Sequence, residues 1–220
     1  RGPPPSVLGV TVEPTGTGDD HVYVATHGQN RFQPGDLYKT SRDRLSATGD
    51  DHAPIWSYAA GEDIAPEDWF GDAPGLFGSP MLAEVDGRMY VYGVVAEWPA
   101  EGRSISLNPD RGWIIRVPAD GPDGSEIHLP LQLGEDWYPA YGCTMDGSGQ
   151  IWIHGGLNRA VDGSGRILRT DPNLSSLAAI TDGVLPRFGY SEIVLGSDYM
   201  YAVSSPSWDG DDDVMPVVYR

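Results

Sequence analysis

Three stretches of this chain share one cadence: GDLYKTSRD at 35–43, GWIIRVPAD at 112–120 and GRILRTDPN at 165–173. Each runs Gly, any residue, Leu or Ile, any residue, then Lys or Arg, and ends on Asp or Asn. A repeat at this scale means that one supersecondary unit is built several times, which restricts the fold more than composition does. Upstream of each cadence stands an apolar element rich in β-branched and aromatic residues. These elements are VYVAT (22–26), MYVYGVV (89–95) and IWIHGG (151–156), with a fourth, MYAVSS, at 200–205. Such runs read as strands. Each is preceded by another: VLGVTVE (7–13), SPMLAEV (79–85), YGCTMD (141–146) and SEIVLGS (191–197). Turn chemistry separates the members of each pair, as TGTGDD, VDGR, DGSGQ and GSD.

The unit is therefore strand, tight turn, strand, longer loop, strand. IWSYAA (55–60) and EIHLP (126–130) supply outer fourth strands, while NLSSLAAI (173–180) reads as one short helical turn. The unit recurs at intervals of roughly 50–65 residues, within the range of propeller repeats. Helix-poor, four-stranded, repeated units predict an all-β chain, a β-propeller in one domain. The blades are expected at about 6–60, 76–131, 138–181 and 188–220. The last is incomplete, because PVVYR stops at the basic position of the cadence. Four units make either a compact four-blade ring or part of a larger one, since a ring must close to remove its sheet edges. Within the cadence, the Leu or Ile is expected to pack between blades, and the Lys or Arg to point the other way.

A hydrophobic share of 40% in 220 residues is enough for a packed core. The net charge of −18 excludes nucleic acid as a partner, since no basic stripe is present to neutralise phosphates, and disfavours an anionic membrane surface. No apolar run approaches the roughly 20 residues of a membrane span, so no membrane insertion is expected. Cys143 is the single cysteine, so no internal disulfide can form. The chain opens on Arg1 instead of Met, so the missing signal peptide carries no information about location. Seven Trp and eleven Tyr against four Phe suit both sheet packing and stacking on sugars.

Two stretches carry a resemblance. FGSPMLAEVDGRMYVYGVV, followed by GWIIRVPAD, resembles the five-bladed β-propeller glycosidases, most of all the branch with endo-D-arabinanase-like domains of bacteria and phages. SEIVLGSDYMYAVSS is similar to a strand pair of the arabinanase and fructosidase propellers. The likeness covers about residues 7–220 as architecture and these stretches as motif. It implies a five-bladed ring, a glycoside-hydrolase-like activity on a surface polysaccharide, and Glu192 as general acid. The chain departs from that pattern in two places. No acidic motif precedes Val7, and Ser79-Pro80 stands where many relatives carry an Asp.

In a propeller the loops joining second and third strands share one face. This brings together 27–35, 96–112, 154–165 and 204–213. They hold groups suited to a glycan partner: His27, Asn30 and Arg31; Glu97, Trp98 and Arg103; His154, Asn158 and Arg159; and Trp208. Indoles stack on sugar faces, and the polar groups bond hydroxyls. Glycoside hydrolysis needs two carboxyl groups. Glu192 opens an inner strand, where partial desolvation favours an acid; its candidate partner is Asp146, in a turn where Asp also has an ordinary structural use. Asp209, Asp211 and Asp213 alternate as in a Ca²⁺ loop, but Val214 and Arg220 replace the Gly and Glu that such a loop needs. No cofactor is required by this reading, and Ca²⁺ is the only metal considered. Two functions are expected. One is a glycan-engaging, secreted or surface-displayed propeller. The other is a non-catalytic structural or receptor-binding module of a virion or extracellular assembly, with other protein chains as partners.

Overall fold

The structure is a computed structural model. It describes residues 6–27, 35–46, 53–59, 74–97, 112–122, 131–134, 138–156, 165–180, 193–201 and 218–219. The chain is all-β, with one short helix among these residues. The first antiparallel sheet holds β1 (Ser6–Glu13), β2 (His21–His27), β3 (Asp36–Ser41) and β4 (Trp56–Ala59), and α1 (Arg42–Ser46) lies between the last two. The second holds β5 (Pro74–Val85), β6 (Arg88–Glu97), β7 (Gly112–Pro118) and β8 (Leu131–Gly134). The third holds β9 (Tyr138–Met145), β10 (Ile151–Gly156), β11 (Gly165–Thr170) and β12 (Leu177–Ala179). The fourth holds β13 (Val194–Leu195), β14 (Met200–Tyr201) and β15 (Val218–Tyr219). In each, spatial order follows chain order, and all neighbours are antiparallel. Tight turns make this meander local. The β5–β6 turn is Asp86-Gly87 with φ of 53° and 82°, the pair of left-handed residues that matches strand twist.

The sheets pack face to face in chain order. Tyr23, Leu37 and Tyr58 of the first meet Leu76, Val91, Ile115 and Val117 of the second. Tyr92, Val94 and Ile114 of the second meet Cys143, Ile151, Ile153 and Leu168 of the third. Ile167 and Trp152 of the third meet Ile193, Leu195 and Met200 of the fourth. Each fully buried Leu, Ile or Val contributes about 1.5–3 kcal/mol, so these junctions hold the sheets together. The first strands lie nearest one another: β5 packs against both β1 and β9. At the β1–β5 crossing a Cβ on Gly9 would collide with the Gly78 carbonyl, so only glycine allows this approach. Thr11 Oγ1 donates to the Pro80 carbonyl beside it.

The cadence is an inter-sheet latch. Leu37, Ile114 and Ile167 occupy its third position, and all are buried at the junction with the following sheet. The fifth position is two residues further on and so projects from the same side of the strand. Lys39 and Arg116 accordingly reach toward the next sheet and not away from it, which corrects the sequence expectation. Lys39 Nζ donates to the Ala119 carbonyl at 3.0 Å. Arg116 Nη1 donates to the Pro172 carbonyl at 3.1 Å. Ala119 and Pro172 each hold the eighth position of the next cadence. The tyrosine opposite each cation on the second strand joins it: Tyr23 pairs with Lys39 and Tyr92 with Arg116. The Tyr92 hydroxyl donates to the Pro172 carbonyl at 2.6 Å, while the Tyr23 hydroxyl lies 3.4 Å from the Ala119 carbonyl and gives its proton to Glu13 Oε2 at 2.8 Å.

Three further expectations need adjustment. Residues 177–179 form β12 in place of a helical turn, because Asp171 takes the Asn173 and Ser175 N–H groups and the Ile180 N–H pairs back to the Ile167 carbonyl. The outer strand of the second sheet lies at 131–134, while residues 126–130 lie outside those described. Finally, Val10 and Val12 on one end of the stack and Val194 and Tyr201 on the other are well exposed. On that first-sheet face Val22, Val24 and Thr40 are nevertheless buried, and the described residues do not show the four sheets closed into a ring.

Candidate functional site

Strand register divides the array into two ends. At one lie the long second-to-third-strand connections. They leave from His27, Glu97 and Gly156 and return at Asp36, Gly112 and Gly165. At the other lie the short first-to-second-strand turns, such as Asp86-Gly87 and Asp146–Gln150.

His27 and Glu97 close β2 and β6 at the loop end. Asn30, Arg31, Trp98, Arg103, Asn158, Arg159 and Trp208 lie outside the described residues, as do Glu192 and the proposed Ca²⁺ ligands Asp209, Asp211 and Asp213. Among the described residues no group of three His, Cys, Asp or Glu side chains is placed to hold a metal, and no helix is long and apolar enough to cross a membrane.

Near the loop end each of the first three sheets carries a register break in its first strand: between Val7 and Gly9, between Phe77 and Met81, and around residues 140–142 opposite His154. Bulges of this kind re-aim side chains and recur beside functional sites. Ser79-Pro80 falls inside the second break.

His154 is not a loop residue. It sits within β10 opposite Ile167, 3% exposed, on the face turned toward the fourth sheet. Burial lowers its pKa to about 4, so the imidazole is neutral near pH 7, and Nδ1 has no hydrogen-bond partner. A buried neutral ring between two sheets does not line an open depression.

Asp146 belongs to the opposite end. Its Oδ1 accepts the Ser148 N–H at 2.8 Å, the Ser148 hydroxyl at 2.6 Å and the Gln150 N–H at 3.0 Å. Its Oδ2 accepts the Trp152 indole N–H at 2.8 Å. Slight desolvation raises its pKa, but these donors outweigh it and hold the pKa at about 2. A carboxylate so engaged locks a turn; it is not available as a general base.

The sequence reading passed over a polar cleft of about 270 Å³ at the turn end, between the first and second sheets. It is lined by Glu13, His21, Lys39, Arg88, Ala119 and Asp120, with Gly87 and Met89. Glu13 Oε2 is the hub, accepting from Tyr23 Oη at 2.8 Å and facing His21 Nδ1 at 3.0 Å and Lys39 Nζ at 3.9 Å. Burial raises the Glu13 pKa, but the Tyr23 and His21 hydrogen bonds and the Lys39 charge bring it below the ordinary value. Arg88 pairs with Asp120 at 2.9 Å. The Ala119 carbonyl also takes the Trp56 indole N–H at 3.2 Å. Cations and carboxylates here are matched within the cleft, so its chemistry is that of a polar seam closing the first junction. The signal was present in the sequence, because Lys39 is the only lysine and occupies the cadence.

No protein-family model matches the chain, and a search of curated proteins gives no match. Among solved structures, one described as "a putative hydrolase from Bacteroides ovatus" is similar at a TM-score of 0.40 and 10% identity. The similarity covers 94% of this chain and 64% of that one, so the present chain spans less than two thirds of the length of the protein it matches.

Proposed function

We propose that this chain is a β-propeller-type module, an arc of blades that engages a glycan at its loop end. The observation that supports it best is the shared polarity of the sheets. Each long second-to-third-strand connection leaves from the same end, from His27, Glu97 and Gly156. The sequence of those connections carries Asn30, Arg31, Trp98, Arg103, Asn158 and Arg159, and that of the fourth unit carries Trp208. The resemblance to arabinanase-type propellers supplies the class of ligand, a surface polysaccharide, and an extracellular, virion or cell-surface setting. Glu192 is its general acid if the module cleaves. Ca²⁺ at Asp209, Asp211 and Asp213 is an optional accessory and no cofactor is required.

One observation favours the second reading, a non-catalytic binding or structural module of a virion or extracellular assembly. Hydrolysis needs two carboxyl groups, and Asp146 is committed to its turn. Both readings meet in one experiment, in which arabinan- and fructan-type polysaccharides are tested for binding and for released reducing ends. Trp208→Ala should weaken binding by about 1–2 kcal/mol. Glu192→Gln should retain binding and abolish release, because an amide keeps the shape but has no acid proton to donate. Binding without release by the unaltered chain selects the non-catalytic module. No binding to any polysaccharide defeats the glycan reading.

A further inference from the structure

The second strands of the first three sheets share a pattern at their junction face. Each carries a large aromatic, Tyr23, Tyr92 or Trp152, turned toward the next sheet. Two residues further on, and so on the same face, stand Ala25, Val94 and His154. Ala25 and Val94 are buried in the apolar core of their own junctions. Of the three strands, only β10 places a titratable group at this position. His154 lies directly opposite Ile167, and the fourth sheet presents Ile193, Leu195 and Met200 to the same face. The imidazole is 3% exposed, and its Nδ1 has no hydrogen-bond partner.

The ionisable groups around it are committed elsewhere. On the same face Arg169 lies over the Trp152 indole, and Asp146 Oδ2 accepts the indole N–H. On β9, Cys143 is buried toward the second sheet. In the fourth sheet Asp198 is in an exposed turn, where the Ser197 hydroxyl donates to it, and Tyr199 and Tyr201 lie against one another and are exposed. None of these described groups bonds the imidazole. An imidazolium here would lose its water and gain no partner, which is costly. The ring must stay neutral or leave.

We propose that His154 makes the third junction an acid-operated joint: protonation of its imidazole parts the fourth sheet from the third while the first two junctions stay closed. This is independent of the glycan reading. Burial holds the folded pKa at about 4, whereas a ring released into water titrates at about 6.5. The opened form therefore binds the proton first. The junction is at full strength above about 6.5, and its opening equilibrium rises by up to about tenfold per pH unit as pH falls toward 4. The engaged carboxylates act lower, since Glu13, Asp146 and Asp171 are all held below their ordinary values. A proton gained by His21 places a cation beside Glu13 Oε2 and does not weaken the first junction. The first two junctions thus keep their charges through the range in which the third opens.

Hydrogen–deuterium exchange of the whole chain, from about pH 7.5 to about pH 4 and corrected for the intrinsic pH dependence of amide exchange, tests this. Amides in residues 193–201 should lose protection by up to about tenfold per pH unit below about 6.5, while those of β2, β3, β6 and β7 should keep it. His154→Phe fills the site with a ring that cannot titrate, and His154→Gln replaces it with a neutral polar group. Each should flatten the pH dependence at 193–201, and thermal melts at neutral pH check that both variants fold. The His154 imidazole resonance, assigned by its proximity to Ile167, should remain neutral well below the pH at which an exposed imidazole titrates. If neither variant folds, that resonance and the exchange profile of the unaltered chain decide the matter. Protection at 193–201 that does not change with pH overturns the proposal. So does a pH dependence that survives both substitutions, a loss of protection in all sheets at once, or a ring that titrates near 6.5 in the folded chain.

Discussion

The first and second junctions place the same two groups in the same register and resolve them with different chemistry. At the second, Arg116 spans the Pro172 carbonyl and the Asn173 side-chain oxygen, at 3.1 and 2.8 Å, and stacks over Tyr90 with 4.4 Å to the ring centroid. Its acceptors are neutral, and the two hydrogens of Nη1 serve both of them. At the first, the ammonium-bearing Lys39 is 7% exposed and makes one bond to the Ala119 carbonyl. A compact buried charge needs a counter-charge as well as hydrogen bonds, and Glu13 supplies it, held in place by Tyr23 and His21. The repeat thus fixes where a cation goes, and the cation's own geometry decides what else the junction must recruit. Burial lowers the Lys39 pKa, against the opposing pull of Glu13 and Asp120.

The largest expected effect separates the two junctions directly. Lys39→Met removes the cation and leaves the Glu13 carboxylate half-buried without its counter-charge, which should cost about 2–3 kcal/mol. Arg116→Met leaves neutral acceptors that water can reach, and should cost about 1 kcal/mol. Urea unfolding of both variants checks this, and equal losses would show that the junctions do not differ in the way described.

A smaller effect is in pH. The folded pKa of Glu13 is depressed by the two hydrogen bonds and the lysine despite its burial. Its stabilising contribution is therefore complete above the ordinary Glu value, about 4.3, and is lost as pH falls through the lower folded value. Among the described residues Arg116 bonds neutral acceptors only, so the second latch itself should contribute no such slope; the neighbouring Asp171 carboxylate, held low by the donors of its own turn, contributes equally to the chain and to Glu13→Gln. Glu13→Gln should be less stable than the unaltered chain by roughly 1–2 kcal/mol at neutral pH, with the difference closing on acidification. A gap that is constant over the whole acid range would remove the carboxylate from the explanation.

The strands were legible in the sequence because alternation, β-branched residues and Asp-Gly turns act locally. The outer strand IWSYAA and the three cadence strands needed nothing beyond their own residues. What local pattern misjudged was decided by distant or competing groups. Leu177–Ala179 is composed like a helix, yet Asp171 gathers the Asn173 and Ser175 amides into a turn, and β11 then pairs with residues 177–179. The cation of the cadence was misdirected against strand alternation, which puts the third and fifth positions on one side; what the local sequence could not supply was the acceptor, 80 residues away for Lys39 and 56 for Arg116. His154 looked like a loop ligand beside Gly155-Gly156, but the strand continues through both glycines and turns the ring inward. Asp146 could be read as an acid or as a turn residue, and only its four donors distinguish the two.

The smallest predicted effect concerns the third copy of the latch. Arg169 stands opposite Trp152, as Lys39 stands opposite Tyr23 and Arg116 opposite Tyr92. Its guanidinium lies over the indole with 5.7 Å to the ring centroid. Among the described residues, no carbonyl of the fourth sheet takes the part of Ala119 or Pro172. The indole has no hydroxyl to send across, and its N–H is already given to Asp146. What remains to Arg169 is a cation–π contact at a partly exposed site, worth about 0.5–1 kcal/mol. Arg169→Ala should therefore cost less than Arg116→Ala in the same urea titration, by roughly the value of one hydrogen bond to a charged donor, about 1.5 kcal/mol. A loss as large as that of Arg116→Ala would mean that the third latch is closed, and the contrast among the junctions would then lie in the lysine alone.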